Sequence, residues 1–346
     1  MSRIFETLID RAETGRLPDL LVRLGVRRMV AERATRAERD GPVAHRRFVR
    51  QLVESPITLA PETANQQHYE VPVELFRRVL GPRLKYSCAW YGTGITCLAD
   101  AEEAMLALTA ERAGIEDGMR VLDLGCGWGS LTLWLAEHFP ACEITAVSNS
   151  KLQREAILAE AARRGLSGIT VKTADVARFE PGERFDRVAS VEMVEHVRNW
   201  PLLLERIASW LMPEGRLFVH HFCHRHFAYP YEIDGDGDWM ARHFFTGGMM
   251  PSADLLSQFS EHLEVVDRWD LEGTHYGKTS EAWLRNLDGA FADLLDLFHS
   301  EHGEDALRVL GRWRLFFIGC TELFAHRGGS VWGVTHQLLA PRRGAA

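Results

Sequence analysis

The sequence predicts an α/β protein built on a mostly parallel, doubly wound sheet, with helical additions at both ends. Three observations carry that expectation. Apolar strands alternate with helix-forming stretches from Val121 onward, the first strand runs straight into a glycine-rich turn, and polar or acidic residues fall at the strand ends. The first strand is Val121-Leu122-Asp123-Leu124, and Gly125-Cys126-Gly127-Trp128-Gly129 is the turn after it. Leu131 to His138 reads as a helix, Glu143 to Val147 as a second strand, and Ser150 to Arg164 as a helix rich in Ala, Leu, Glu and Arg. Ile169 to Lys172 and Phe185 to Val191 are the third and fourth strands. This alternation makes parallel pairing with right-handed crossovers the economical topology. Ligands of such sheets lie across the carboxyl ends of the strands, where Asp123, Asn149, Asp175 and Glu192 fall.

Further along, Trp200 to Trp210 reads as a helix, Met212-Pro213-Glu214-Gly215 as a turn and Arg216 to Phe222 as a strand. His226 to Pro251 has no regular pattern. Ala253 to His262 and Ser280 to Phe317 read as helices, and Ser330 to Leu339 as the closing strand. Helices that precede the last strand belong over the sheet edge, as a cover for a substrate. The expected organisation is a helical region over 1–84 and a catalytic domain over 85–346, with 225–325 inserted as that cover.

Composition narrows the function. The 346 residues are 46% hydrophobic and 25% charged, enough for a sizeable core. A net charge of −8 argues against a nucleic-acid partner. No stretch of 18 uninterrupted apolar residues occurs, and the first twenty residues mix charged with apolar side chains, so a cytoplasmic protein is expected. Six cysteines without regular spacing fit reduced thiols. One basic region stands out: nine Arg against three acids between Val22 and Arg50. Such a region can dock peripherally on an anionic membrane, at about 1 kcal/mol per basic side chain, or form a solvated face with internal salt bridges. Gly41-Pro42 predicts that it divides into two helices.

The glycine turn suits S-adenosylmethionine. Gly125 and Gly127 permit close ligand approach, the following helix offers free N–H groups, and Asp123 can face a positive amino group. A nicotinamide or flavin fingerprint would need G-x-G-x-x-G and an acid about 20 residues later, and both are missing. Methyl transfer then needs alignment and a destination for a proton. Val191-Glu192-Met193-Val194-Glu195-His196 stands past the fourth strand. A helical turn there would set Glu192 on one face with Glu195 and His196. His220, His221, Cys223, His224 and His226 form a second dense group, but strand alternation splits His220 and His224 from His221 and Cys223 and so opposes a metal cage. Asp234-Gly235-Asp236-Gly237-Asp238 invites a calcium reading, yet Trp239 and Phe245 stand where an EF-hand loop needs Gly and Glu. No metal is expected. Trp90, Tyr229, Tyr231, Trp239 and Phe245 can wall an acceptor pocket and favour a cationic amine, or can be core residues of the cover.

The motifs Asn65-Gln66-Gln67-His68-Tyr69-Glu70-Val71-Pro72, Leu84-Lys85-Tyr86-Ser87-Cys88, Leu98-Ala99-Asp100-Ala101-Glu102 and the glycine turn come in an order and spacing that resembles one family. It comprises the cyclopropane-fatty-acyl-phospholipid synthases, the mycolic acid cyclopropane synthases and the coclaurine-type N-methyltransferases. The resemblance runs from about Asn65 to the last strand. It implies a Rossmann-like class I methyltransferase using S-adenosylmethionine, with Tyr86 and Ser87 closing over the cofactor. Ser148, Asn149 and Gln153 would hold its ribose and methionine region, and Asp175 and Val176 would flank the adenine.

The two branches of the family imply different acceptors. In the synthases a bound bicarbonate takes the proton, and its site is matched here by Cys88, Glu195, His220, Tyr276 and Cys320. The N-methyltransferases use a Glu and a His matched by Glu192 and His196, and the synthases generally have a glycine at the Glu192 position. The leading expectation is therefore a small-molecule amine acceptor. The alternative is transfer to unsaturated lipid acyl chains with bicarbonate, and a third reading is a non-catalytic module that binds cofactor or lipid without turnover.

Overall fold

In the computed structural model, residues 3–59, 71–232 and 239–342 are described. The Asn65–Glu70 part of the first motif and the Asp234–Asp238 acidic run lie outside them. The helices are α1 (Arg3–Glu13), α2 (Asp19–Glu54), α3 (Val73–Val79), α4 (Leu98–Ala113), α5 (Ser130–His138), α6 (Lys151–Arg164), α7 (Trp200–Trp210), α8 (Trp239–His243), α9 (Thr274–Gly289), α10 (Phe291–His302) and α11 (Ala306–Ala325). The strands are β1 (Arg120–Leu124), β2 (Glu143–Ser148), β3 (Ile169–Thr173), β4 (Phe185–Val191), β5 (Leu211–His224), β6 (Tyr229–Pro230), β7 (Met249–Met250), β8 (Leu263–Glu272) and β9 (Trp332–Pro341).

Seven strands form one sheet in the order β3-β2-β1-β4-β5-β9-β8. The first five are parallel, and β9 runs antiparallel between β5 and β8. Strand order reverses at β1, between β2 and β4, and the glycine turn leaves the sheet at that switch point. β1 is buried along almost its whole length, as a central parallel strand covered on both faces must be. One apolar cluster packs α7 and the start of β5 against one face, with Trp200, Leu203, Ile207 and Trp210 at its centre. A larger one unites α2, α3, α9, α10 and α11 above the strand ends.

Several local expectations are corrected. α2 continues through Gly41-Pro42 as a single 36-residue helix. Proline fits the helical φ and removes one backbone bond, and both halves are anchored: Val22, Val30 and Ala34 enter the upper cluster while Phe48 and Leu52 enter the lower one. Gly41 is required there because a Cβ would meet the Phe227 ring at 2.7 Å. The turn expected at 212–215 is instead a bulge within β5, since Phe185 pairs with Leu211 while Arg187 already pairs with Arg216.

The helix expected over 253–262 reduces to a 3-10 turn, Leu255–Gln258, because the backbone of this segment ties to the end of β5 through Ala253 N–H and His224 O. After it comes β8, an edge strand that the sequence reading did not anticipate. The helix expected over 280–317 is three helices. It breaks at Ala290 and again at Gly303, whose φ of 55° needs glycine.

The basic region is largely engaged with the protein itself. Arg23 and Arg27 both pair with buried Glu322 of α11, Arg28 pairs with Glu32, Arg39 with Asp40, and the Arg33 guanidinium lies 3.9 Å over the Tyr229 ring. No helix among the described residues is long and apolar enough to cross a membrane. All six cysteines are free thiols.

Candidate active site

The site forms where β1, β2, β3 and β4 end. Gly125 and Gly127 take φ of 91° and 52°, values that side-chain-bearing residues rarely adopt. A Cβ at Gly125 would stand 2.4 Å from Met193 Cγ, so glycine is what lets the first turn pass the segment after β4. Both glycines line two adjoining cavities. One is bounded by Val147, Ser148, Asn149, Gln153, Asp175, Val176, Met193 and His196. The other is bounded by Tyr86, Ser87, Asp123, Trp128, Ser130 and Val191. Glu192 lines both.

The polar groups here are arranged by short local bonds. Asp123 accepts from Thr132 Oγ1 at 2.6 Å, and burial pushes its carboxyl up to about 6 against that bond. Ser148 Oγ donates to Gln153 Oε1 at 2.5 Å and accepts from the Ser150 N–H. This leaves Gln153 Nε2 buried without a hydrogen-bond partner among the described residues. An orphaned amide, a buried carboxyl and a glycine cradle suit a polar, partly cationic nucleoside ligand. S-adenosylmethionine fits these residues, and the expected cofactor positions Tyr86, Ser87, Asp123, Gly125, Gly127, Ser148, Asn149, Gln153, Asp175 and Val176 all line one cavity or the other.

Glu192 is the centre of the chemistry-bearing groups. Its φ of 48° is a strained value for a non-glycine residue, at a cost of about 1–3 kcal/mol. Three donors converge on its carboxylate. Cys88 N–H reaches Oε1 at 2.8 Å, His220 Nε2 stands 3.1 Å from the same oxygen, and the Tyr276 hydroxyl reaches Oε2 at 2.5 Å. The peptide N–H of Glu192 donates to His220 O. Burial pushes its carboxyl up, opposed by the Lys85 ammonium, the Cys88 N–H and the Tyr276 hydroxyl. Lys85 is itself buried and donates to Ser87 Oγ and Cys88 O, so one cation braces the loop that carries the Cys88 N–H. Glu102 clamps the start of that loop by accepting from the N–H groups of Gly81 and Arg83 at 3.0 and 2.9 Å. Leu98-Ala99-Asp100-Ala101-Glu102 thus serves the site from a distance.

The single helical face expected for Glu192, Glu195 and His196 does not form. The left-handed Glu192 interrupts it, and only Val194–His196 make a 3-10 turn. Glu195 turns to accept from the Phe222 N–H at 2.8 Å, while its Oε2 is buried without a hydrogen-bond partner among the described residues. Burial and the negative charge of Glu192 push the Glu195 carboxyl well up, so of the two carboxyls Glu195 is the one driven towards the neutral form. The His196 ring lies against Phe245 at 4.6 Å. Cys320, on α11, is close enough for burial and the Glu192 charge to push its thiol up to about 12.

Of the five aromatic residues considered as an acceptor wall, Trp90 stands apart from the others, whereas Tyr229, Tyr231 and Trp239 line one cavity. Trp90 stacks on His275, Trp239 donates to Glu13, and Tyr229 lies under Arg33. Phe245 and Tyr231 do meet, and Phe222, Tyr276 and Phe324 complete the aromatic surround. Sequence reasoning missed Phe324 and His336. His336 is bound to His220 across β5 and β9, and only the strand register reveals it.

A family profile, mycolic acid cyclopropane synthetase, matches residues 58–334. (S)-coclaurine N-methyltransferase of Thalictrum flavum subsp. glaucum is 36% identical over 97% of this chain and 96% of its own length. Cyclopropane-fatty-acyl-phospholipid synthase of Escherichia coli (strain K12) is 28% identical over 78% of this chain and 66% of its own. Among solved structures, coclaurine N-methyltransferase bound to N-methylheliamine and SAH superposes with a TM-score of 0.93 at 36% identity, covering 96% of this chain and 99% of that one. The cyclopropane synthase MmaA2 from Mycobacterium tuberculosis shares the fold, with a TM-score of 0.70 at 22% identity over 83% of this chain and 100% of its own. The glycine cradle, the two cavities that meet at Glu192 and these likenesses together place the chain in the mycolic acid cyclopropane synthetase family, as an S-adenosylmethionine-dependent methyltransferase.

Proposed function

We propose that this enzyme methylates the nitrogen of a small amine that carries an aromatic ring, with Glu192, Glu195 and His196 at the acceptor. The observation that carries the reading is the convergence of Cys88 N–H, His220 and Tyr276 on the Glu192 carboxylate. These three are among the positions that the resemblance assigns to a bicarbonate. A carboxylate belonging to the chain already stands among them, which favours an amine over a lipid double bond. The similarity to coclaurine N-methyltransferases along nearly the whole chain supports the same acceptor.

S-adenosylmethionine, when bound, supplies a methyl group on a sulfonium whose departing thioether is neutral. The rest falls to the residues of the chain. Asp123, Ser148, Asn149, Gln153 and Asp175 hold polar groups of the cofactor, and Gly125 and Gly127 let it approach the backbone. Glu192, fixed by three donors, faces the acceptor nitrogen and offsets the positive charge that develops as the N–C bond forms. His196 accepts the proton that the amine must lose, and the free Oε2 of Glu195 orients a polar group of the acceptor. Phe222, Tyr231, Phe245, Tyr276 and Phe324 exclude water and offer ring faces to a cation.

The test is to incubate the enzyme with methyl-labelled cofactor, (S)-coclaurine and other secondary amines that carry an aromatic ring, and vesicles of cis-unsaturated phospholipid. Label is expected in the amine fraction. Label confined to the lipid would overturn the amine reading in favour of acyl-chain chemistry, and cofactor binding with no label in either fraction would favour a non-catalytic module.

A further inference from the structure

Strand register sets a row of side chains across the sheet. Val191 of β4 stands opposite His220 of β5, His220 opposite His336 of β9, and His336 opposite Trp269 of β8. The two imidazoles meet with His336 Nε2 2.9 Å from His220 Nδ1. Their outer nitrogens are also engaged. His336 Nδ1 lies 2.9 Å from Arg112 Nη1 of α4, and His220 Nε2 lies 3.1 Å from Glu192 Oε1. The Arg112 guanidinium also sits 5.0 Å over the Trp269 ring, which holds it at the end of the row.

One end of this chain has only donors. A guanidinium cannot accept a hydrogen bond, so His336 Nδ1 must accept, and a neutral His336 carries its proton on Nε2. That N–H donates to His220 Nδ1. The proton of a neutral His220 is therefore on Nε2, where it meets Glu192. Protonating His336 would set an N–H against the Arg112 donor, and protonating His220 would set one against the N–H of His336. Both histidines are fully buried.

We propose that Arg112, His336 and His220 form a positioning relay that locks His220 as a donor to Glu192, so that Glu192 remains an oriented, ionised carboxylate at the acceptor. Arg112 acts through two imidazoles and is a positioning residue. The relay deepens the reading of Glu192 given above and rests on it for its effect on turnover, whereas the proton positions stand independently of any substrate.

The experiment uses the full chain labelled with ¹⁵N-histidine, with signals assigned from His220→Gln and His336→Gln. Proton–nitrogen correlation spectra of the wild type are expected to show both residues with the proton on Nε2. In Arg112→Met, which keeps an apolar stem over Trp269, tautomers become mixed. The turnover number should fall roughly 10-fold, the low end of the losses when the hydrogen-bond partner behind a metal-binding imidazole is removed, with KM changed less than two-fold. Arg112→Lys, which keeps a donor, restores both readouts in part. A wild-type spectrum with the His220 proton on Nδ1, or with either ring doubly protonated, would overturn the relay without any activity measurement. Mixed tautomers in Arg112→Met with unchanged turnover would overturn its catalytic consequence. If the wild type methylates no amine, the proposed function fails while the spectrum still decides the relay.

Discussion

Glu192 owes its position to a strained backbone and three donors from distant parts of the chain. Cys88 lies 104 residues before it and Tyr276 84 residues after it. Replacing the carboxylate with an amide keeps the shape but sets an NH2 group among donors. Glu192→Gln is expected to lower kcat by about 10²- to 10⁴-fold with a native circular dichroism spectrum, measured in steady-state methyl transfer. Asp123 gives a second prediction, on stability against pH. Its carboxyl titrates near 6 when folded against 3.8 as the ordinary value, so the folded state binds the proton more tightly. That contribution to stability is fully present below pH 3.8 and is lost as pH rises through about 6. The ligand-free Asp123→Asn chain should therefore be more stable than wild type at pH 8, by an amount on the order of 3 kcal/mol, and the gap should close towards pH 4. Urea unfolding at both pH values measures it, and a gap independent of pH would contradict the assignment. Asp123 and the glycines could be picked out in the sequence because what marks them, a strand end and a tight turn, is local. Glu192 could be picked out by its place at a strand end, but its partners could not, since no local pattern joins Cys88 to Tyr276.

At the scale of elements, α2 shows which sequence signals tertiary packing can override. Gly41-Pro42 is a strong local break, yet the helix persists because its two halves are held by different apolar clusters and by Glu322, which binds Arg23 and Arg27. Alanine at Gly41 would gain up to about 1 kcal/mol in helix propensity, whereas overpacking against the Phe227 ring costs about 1–3 kcal/mol. The clash outweighs the gain. Gly41→Ala is expected to lower stability by up to about 2 kcal/mol in urea unfolding, and a stabilised variant would show that Phe227 yields without cost. The parallel strands β1 to β4 were legible from apolar runs between turn signals. β8 was not: it is an edge strand in which the alternation of Leu263, Val265, Trp269 and Leu271 is broken by Asp267 and by a bulge between Val265 and Asp267, with the exposed Arg268 and Asp270 between the apolar positions. The break at Gly303 was present in the sequence, but the apolar spacing on either side of it reads as one helix.

For the whole molecule, the sheet and the helical cover divide the work. The sheet end holds the expected cofactor positions in two cavities that share the glycine turn, and α9 and α11 bring Tyr276, Cys320 and Phe324 towards Glu192. A cavity of about 890 Å³ lies between α1, α2 and the cover, lined by Val22, Met29, Tyr229, Tyr231 and Trp239. Fold class and cofactor cradle followed from the order of elements along the chain. The acceptor did not, because it depends on how the cover closes on the sheet, and that closure joins residues from the two ends of the sequence. On the proposed reading the methyl group goes to nitrogen. Carbon-13 NMR of the product formed from ¹³C-methyl cofactor and a ¹⁵N-labelled secondary amine that carries an aromatic ring tests it most directly. A methyl resonance split by coupling to ¹⁵N is the predicted result, and ¹³C found as the methylene of a cyclopropane ring after turnover with unsaturated phospholipid, with none on nitrogen, would contradict it.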